Sequence, residues 1–143
     1  MKRHTLFLIA LISVFMVSCT TNRMGDQSKI YDNDWELEYV TGPRIAFQGL
    51  FPDEKPVITF NKSMNTVTGT TSCNSYNVAY KMNGKMISFQ DPAITTMRYC
   101  GDGEIIFLKT MKEITNYRMT TDGKLELLMN DIVMMRFKKS LNR

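Results

Sequence analysis

From residue 35 onward, hydrophobic and polar positions alternate in short runs, the pattern of β-strands with one buried face. Trp35, Leu37 and Tyr39 are apolar, whereas the residues between them are acidic. Two-residue turn signals, Asn83-Gly84 and Asp122-Gly123, separate later runs and indicate hairpins. These patterns predict strands at residues 35–40, 57–60, 66–71, 77–80, 85–89, 117–120, 124–129 and 132–138.

One segment between these strands has helical periodicity instead. Its apolar residues recur at the spacing of one helix face, and they are Phe107, Leu108, Met111 and Ile114. Asp102 is the predicted N-cap, and Glu104 suits the positive end of the helix dipole. A single helix among strands predicts a mostly β, α+β fold, in which the helix seals one side or end of a curved antiparallel sheet.

Two features between the strands bear on packing. Gly69 interrupts a β-branched run, which predicts a bulge or a close approach of two backbones. Residues 42–56 form a long, partly apolar connection that either packs over the sheet or forms a binding surface. Phe47, Leu50 and Phe51 can fill a small core, which favours packing; under the second interpretation Phe47 and Phe51 are candidate binding residues.

The N-terminal residues have the organisation of a bacterial lipoprotein signal peptide. Lys2 and Arg3 provide a positive start, and residues 6–17 form an apolar run that is short of the roughly 20 residues a membrane span needs. Small Ser18 then precedes Cys19, as at the cleavage site of prolipoproteins. We predict cleavage before Cys19 and acylation of this residue, for example by palmitate. The alternative is an ordinary signal peptide with an incidental cysteine.

These boundaries predict three parts: a signal peptide at residues 1–18, a lipidated tether at residues 19–33 and one domain at residues 34–143. We therefore expect a chain held by lipid in the cell envelope, outside the cytoplasm, and Thr20 favours the outer membrane by the enterobacterial sorting rule. Removal of the signal peptide leaves 125 residues and lowers the net charge from +4 to +2. The mature chain therefore lacks the basic surplus typical of nucleic-acid binding.

The histidine and cysteine content limits the kinds of catalytic and metal site that the mature chain can have. The single histidine, His4, lies in the signal peptide, so histidine-dependent catalysis and histidine metal sites are excluded from the mature chain. With Cys19 acylated, Cys73 and Cys100 remain, and an even pair in an exported protein indicates a disulfide. The alternative is a redox-active thiol, but the sequence has neither a C-x-x-C motif nor a histidine beside either cysteine. We expect no catalytic residue, metal or cofactor.

Four short motifs occur in a fixed order along the mature chain. Trp35 and Leu37 open the first strand, residues 69–76 read G-T-T-S-C-N-S-Y, residues 95–100 read T-T-M-R-Y-C, and Glu104 begins an E-x-x-F-L helix. This arrangement resembles the META/HslJ-like domain family of secreted and lipid-anchored bacterial proteins. The corresponding family patterns are W-x-L, G-x-x-G-C-N-x-[FY], T-T-x-M-A-C and E-x-x-F-L. The resemblance covers nearly the whole mature domain.

The resemblance implies an HslJ-like fold, an antiparallel β pseudobarrel of about seven to eight strands with one α-helix. It also implies a link to envelope stress, and it supplies no reaction. Ser72 stands where the family prefers glycine, so if that glycine has positive φ, the turn must be built differently here. Asn74 and Tyr76 are candidate binding residues within the motif. The competing interpretation is that Asn74 bonds the backbone of a tight turn and Tyr76 packs on one face of the sheet.

Other candidate chemistry has ordinary explanations. Asp53-Glu54 and the pair Asp102/Glu104 are open to an acid–base interpretation, but loops and helix starts are common places for carboxylates. The mature chain has ten methionines, and core filling explains them better than copper binding, which needs several thioethers at one exposed site.

We therefore expect a non-enzymatic envelope module that is anchored to the membrane and binds or braces another envelope component. Its expected partners are the membrane, through the lipid, and an envelope protein. The nearest alternative is an inhibitor of an envelope hydrolase, with residues 42–56 as the loop that enters the enzyme. The second alternative is an uncharacterised enzyme that uses carboxylates.

Overall fold

The computed structural model describes residues 28–42, 44–99 and 101–141. Two helices lie wholly within these ranges, α1 (Phe47–Leu50) and α2 (Asp102–Lys112). The eight predicted strands are all present, whereas α1 and the short strand β6 were not predicted. The strands are β1 (Asp34–Val40), β2 (Val57–Asn61), β3 (Thr66–Thr70), β4 (Ser75–Asn83), β5 (Met86–Phe89), β6 (Ala93–Ile94), β7 (Asn116–Met119), β8 (Leu125–Met129) and β9 (Ile132–Lys139).

The strands form one antiparallel sheet in the order β3-β2-β1-β9-β8-β7-β5-β4-β6. Because β3 also pairs with β4, eight strands close into a barrel, and β6 is added outside it. The length of β4 makes this arrangement feasible, since its residues 75–79 pair with β3 and its residues 80–83 pair with β5. The predicted fold class, an antiparallel β barrel of seven to eight strands with a helix, is confirmed.

Apolar and polar residues alternate along the strands, and the apolar side chains fill the inside of the barrel. Trp35 and Leu37 of β1 are fully buried, and Glu36 between them lies on the outer face. Gly69 of β3 lies so close to β2 that an added Cβ would overlap the carbonyl oxygen of Val57, which confirms the predicted close approach. Other strand residues buried in this core include Ile58, Phe60, Val67, Val78, Ile87, Tyr117, Leu125, Leu127, Met135 and Phe137.

Helix α2 packs on the barrel through its apolar face. Phe107 and Met111 are fully buried, and the ring of Phe107 meets that of Tyr76 edge to face, with centroids 5.7 Å apart. The predicted N-cap was wrong: Gly101 is the N-cap, and Asp102 is the first helical residue. Gly101 has a φ of +69°, a conformation that glycine adopts without the steric cost that an aspartate would incur.

The connection at residues 42–56 packs against α2. The sequence favoured this interpretation because the connection contains three large apolar residues. Leu50 and Phe51 are buried, and partly buried Phe47 lies against Phe51 with 5.2 Å between ring centroids. Gly103 of α2 approaches the Leu50 carbonyl so closely that a Cβ there would overlap it. The connection is therefore part of the core packing, and Phe51 offers no side-chain surface to a partner.

The strand registers define two ends of the barrel. At the proximal end β1 starts and β9 ends, and the β2–β3 turn (residues 62–65) and the β4–β5 turn (residues 84–85) lie beside them. At the distal end β1 ends, and the β3–β4 turn (residues 71–74), β6 and α2 are found there. Because neighbouring strands are staggered, Asp34 and Ser140 still line one groove together with Thr70, next to the β3–β4 turn.

Residues before β1 pack on the proximal end. Ile30 is fully buried, and its carbonyl accepts a 2.9 Å hydrogen bond from the indole of Trp35. The hydroxyl of Tyr31 lies 3.6 Å from the Met82 sulfur, and the Lys62 ammonium is 5.6 Å from the centre of the Tyr31 ring. The packed domain therefore includes residues that the sequence placed in the tether. A single isoleucine in a polar segment has no periodicity that would have revealed this.

A buried carboxylate lies on the outer face of the barrel. Glu126 of β8 has a side chain only 3% exposed, and it accepts hydrogen bonds of 2.6 Å from Arg118 on β7 and 2.8 Å from Arg136 on β9. The hydrogen bond to Glu126 raises the pKa of Arg136. The guanidinium of Arg136 also lies 5.8 Å from the centre of the Tyr39 ring. These contacts join four neighbouring strands on the side opposite the apolar core.

We predict that Ile30→Ala lowers the free energy of unfolding by about 2–4 kcal/mol, because it removes a fully buried side chain beside Trp35. Denaturant unfolding followed by Trp35 fluorescence measures this loss. Asp32→Ala, at an exposed position two residues away, is the matched control and should leave stability within about 0.5 kcal/mol of the wild type. Equal effects of the two substitutions would contradict the assignment of Ile30 to the domain core.

Candidate functional site

The side chain of Asn74 is the centre of the distal end. It is 1% exposed, and its amide group uses all of its hydrogen-bonding capacity. The amide nitrogen donates to the Arg98 carbonyl at 2.7 Å and to the Glu104 carboxylate at 3.0 Å. The amide oxygen accepts from the Thr96 hydroxyl at 3.0 Å and from the Arg98 N–H at 2.9 Å. One side chain thus joins the β3–β4 turn, the segment after β6 and the start of α2.

Thr71 and Glu104 complete this hydrogen-bond network. Thr71 is fully buried, and its hydroxyl donates to the Glu104 carboxylate. The same hydroxyl accepts the N–H of Asn74 at 3.3 Å, and the Thr71 N–H donates to the Asn74 carbonyl at 2.8 Å. Glu104 lies in the first turn of α2, where the helix dipole favours a negative charge. The acidic side chain that the sequence associated with the helix dipole therefore also holds the turn.

The segment after β6 is bound to β4 by further hydrogen bonds. The Thr95 N–H donates to the Ser75 carbonyl at 2.9 Å, and the Thr95 hydroxyl donates to the same oxygen at 3.0 Å. The Ser75 N–H donates to the Thr96 hydroxyl at 3.0 Å. With the two bonds between Asn74 and the Arg98 backbone, this segment is fixed along its length from residue 95 to residue 98.

The turn before Asn74 keeps a left-handed position even though glycine is absent. Ser72 has a φ of +105°, a region that L-residues other than glycine enter only with strain. Serine itself adopts the left-handed conformation here, so the lack of glycine at position 72 does not prevent such a turn. The network around Thr71 and Asn74 holds this residue in place.

Thr71, Asn74 and Tyr76 of the motif have structural roles. Asn74 and Thr71 are buried and bonded to protein groups, so neither presents a free polar atom to a ligand. Tyr76 is 2% exposed, and burial raises the pKa of its phenol well above the ordinary value. Among the described residues, its hydroxyl has no hydrogen-bond partner. Asn74 has the turn role that the sequence favoured, and Tyr76 packs inside the barrel.

Large apolar side chains surround this network on the outside. Met97 is 99% exposed and Tyr99 is 94% exposed, although the backbone between Met97 and Tyr99 is bonded to Asn74. Ile94 and Ile105 are 43% and 64% exposed. Ile94, Met97 and Glu104 line one shallow groove of about 280 Å³, and Ile105 follows Glu104 on α2. We call the set Ile94, Met97, Tyr99 and Ile105 the distal apolar surface.

Sequence reasoning did not single out this surface as a candidate site. A run such as Thr95–Tyr99 has neither strand nor helix periodicity, and exposure is a property of the closed barrel. The available signal was the presence of Met97 and Tyr99 between two polar threonines and a cysteine, in a segment without a predicted element. Exposed apolar clusters of this kind are typical of interaction sites.

The other predicted site residues are separate from this network. Asp53 and Glu54 line a groove of about 520 Å³ together with Asp34 and Glu36, whereas Glu104 lines the groove at the distal apolar surface. Asp53 and Glu54 thus line a different groove from Glu104.

Three predicted features involve residues outside the described ranges. Cys100 lies outside them, so its pairing with Cys73 stays a prediction. Cys19 and the signal peptide also lie outside them. Within the described ranges, no group of three or more histidine, cysteine, aspartate or glutamate residues is arranged to hold a metal ion. In the same ranges, no helix combines the length and hydropathy that crossing a membrane requires.

Comparison with known proteins identifies the domain. The sequence matches the META domain over residues 28–141, a range that contains the barrel, α2 and buried Ile30. The chain belongs to the META domain family. An NMR structure of a protein from Burkholderia xenovorans is similar, with a TM-score of 0.56 and 21% sequence identity over 89% of this chain and 94% of that chain. At this identity the likeness concerns the fold alone. Comparison with curated proteins gave no match.

We predict that Asn74→Asp lowers the free energy of unfolding by about 3 kcal/mol at pH 7, because a carboxylate replaces the amide donor that faces Glu104 and the Arg98 carbonyl. Folding would raise the pKa of the introduced carboxyl, so protonation favours the folded state and the loss should shrink as the pH falls from 7 towards 5. Denaturant unfolding at several pH values measures both effects.

Asn77→Asp is the matched control, since Asn77 is an exposed asparagine on the same strand that follows the turn. Its effect should stay within about 0.5 kcal/mol. A loss at position 74 no larger than at position 77, or one that grows as the pH falls, would contradict the role assigned to the Asn74 amide.

Proposed function

We propose that this META domain protein is a lipid-anchored, non-enzymatic binding module of the bacterial cell envelope. It is anchored through Cys19 and binds or braces another envelope component under conditions that include envelope stress. The observation that supports binding most directly is the segment at residues 95–99. Its backbone is fixed by hydrogen bonds to Asn74 and β4, whereas its methionine and its tyrosine, Met97 and Tyr99, are almost fully exposed.

This combination suits a recognition surface. A loop that is ordered before binding loses less conformational entropy when a partner docks, so more of the contact energy is available as affinity. Tyrosine and methionine are enriched in protein interfaces. The polar groups beside the surface, namely the Asn74 amide and the Thr96 hydroxyl, are engaged in bonds within the domain. The segment therefore offers a partner the exposed side chains of Met97 and Tyr99, with exposed Arg98 between them.

The proposed anchor agrees with the position of the chain start. Ile30 packs at the proximal end, so the segment that leads from Cys19 enters the domain there. Acyl chains contribute about 0.8 kcal/mol per buried CH₂, and two or more such chains give lasting attachment. The membrane is thus the first proposed partner, and an envelope protein is the second.

A specific observation also favours the alternative function, inhibition of an envelope hydrolase. The segment at residues 95–99 projects two large side chains from a rigid backbone, a geometry suited to entering the cleft of an envelope hydrolase. For this alternative function we propose that residues 95–99 enter the hydrolase. The connection at residues 42–56 is less suitable because it contributes Leu50 and Phe51 to the core.

We predict that Cys19→Ser abolishes the incorporation of labelled palmitate into the protein, because serine cannot receive the thioether-linked lipid. Growth with labelled palmitate followed by immunoprecipitation measures the incorporation. Ser18→Ala, which keeps a small residue before the cysteine, is the control and should leave the labelling unchanged. Labelling of Cys19→Ser equal to that of the wild type would contradict lipid anchoring.

A further inference from the structure

We infer that the tips of two neighbouring hairpins form a contact surface for a bilayer of anionic phospholipid. We call it the cationic hairpin surface, and its residues are Lys62 and Met64 in the β2–β3 turn and Lys81, Lys85 and Met86 in the β4–β5 hairpin. The inference goes beyond the proposed function, because these side chains bind anionic lipid whether or not the chain carries acyl groups.

The two hairpins lie side by side at the proximal end. The N–H of Tyr80 on β4 donates to the carbonyl of Asn65 in the β2–β3 turn at 3.0 Å. Tyr31 contacts both hairpins, since its hydroxyl lies 3.6 Å from the Met82 sulfur and the Lys62 ammonium is 5.6 Å from the centre of its ring. The two tips are therefore held next to each other, where a single flat partner reaches both.

The lysines of this surface are exposed and carry unpaired positive charge. Within the described part of the chain, Lys62, Lys81 and Lys85 form no salt bridge. Other lysines of the barrel are paired with carboxylates, namely Lys55, Lys124 and Lys138. Lys29 and Asp32, exposed in the segment before β1, have opposite charges and leave this balance unchanged. The surface therefore presents three positive charges to an anionic partner.

Two exposed methionines lie among these lysines. Met64 is 64% exposed and Met86 is 57% exposed, and Met86 lines a shallow groove of about 350 Å³ together with Lys81. In a bilayer, charged headgroups lie directly above hydrocarbon. Lysines at such an interface pair with lipid phosphates, while unbranched apolar side chains enter the layer below. The cationic hairpin surface is thus complementary to an anionic bilayer in charge and in apolar character.

Other anionic partners are poorer complements. Binding of single-stranded nucleic acid relies on free aromatic faces for base stacking. Here the Tyr31 ring lies against the Lys62 ammonium, and its hydroxyl is engaged by Met82 and Tyr80. For a single small anion, water and salt screen the attraction of exposed lysines. A bilayer presents many phosphates at once, so the attractions of several lysines add.

The test is photo-crosslinking of the purified full-length chain, as its cell processes it, in phospholipid vesicles. A photo-reactive amino acid replaces Met86 in one sample and Met97 in another. Met97 is the matched control because it is an exposed methionine, 99% accessible, outside the cationic hairpin surface. In vesicles of equal parts phosphatidylglycerol and phosphatidylcholine, we expect at least about fivefold more lipid adduct from position 86 than from position 97.

The charge of the lipid and of the protein is then varied at position 86. Vesicles of phosphatidylcholine alone should lower the adduct at least about fivefold, because their surface has no net charge. In the anionic vesicles, Lys81→Gln combined with Lys85→Gln should lower it at least about tenfold, since each lysine near an anionic surface contributes roughly a factor of five.

Arg44→Gln combined with Lys109→Gln is the matched control for charge. It removes the same two positive charges from exposed positions in the connection before β2 and on α2. We expect a change of less than about twofold, because charges far from the contact are screened. Thermal unfolding of each variant checks that the domain is folded, which we expect because all four substituted side chains are exposed.

Each remaining outcome would overturn the inference. These outcomes are equal lipid adducts from positions 86 and 97, adducts that do not depend on phosphatidylglycerol, equal losses in the two double variants, and no adduct. The position 86 sample is also irradiated in intact cells, where a discrete protein adduct in place of lipid would assign the surface to an acidic protein instead. Palmitate labelling of Cys19→Ser is read independently, since it tests the lipid anchor and not this surface.

Discussion

The hydrogen bonds of the Asn74 side chain are the constraint on which the distal end of this domain depends. Four groups from two other segments meet its amide, and each of its donors and acceptors has a partner. Because Asn74 is buried, loss of any one partner would leave a polar group without water, at a cost of about 1–3 kcal/mol. The β3–β4 turn, the segment after β6 and the start of α2 are thus stabilised together.

This arrangement separates the roles of backbone and side chains in the segment at residues 95–99. The backbone of Arg98 is bonded on both its N–H and its carbonyl group, while Met97 and Tyr99 extend into solvent. Their exposure is thermodynamically unfavourable for an isolated domain, since each large apolar side chain forgoes about 1.5–3 kcal/mol of burial. The strained conformation of Ser72 lies beside the same network. The proposed binding role would account for both the fixed backbone and the exposed side chains.

Sequence patterns predicted the strands, α2 and the fold class because burial on one face leaves a period in the sequence. They did not reveal β6 and α1, which are too short to show a period, or the burial of Ile30, which is a single apolar residue in a polar segment. The turn role of Asn74 followed from its residue type, but its contact with Glu104 joins residues 30 positions apart and requires the closed barrel. The positive φ of Ser72 was not predictable from the residue type, because serine disfavours that conformation.

Hydrogen exchange at the Arg98 amide tests this account most directly. The amide donates to the buried oxygen of Asn74, although it lies between two almost fully exposed residues. NMR-detected exchange should therefore show Arg98 protected by at least about tenfold relative to an unstructured chain, whereas exposed, mobile segments exchange without protection. Unprotected exchange at Arg98 would contradict the claim that Asn74 fixes this segment and holds Met97 and Tyr99 in position for a partner.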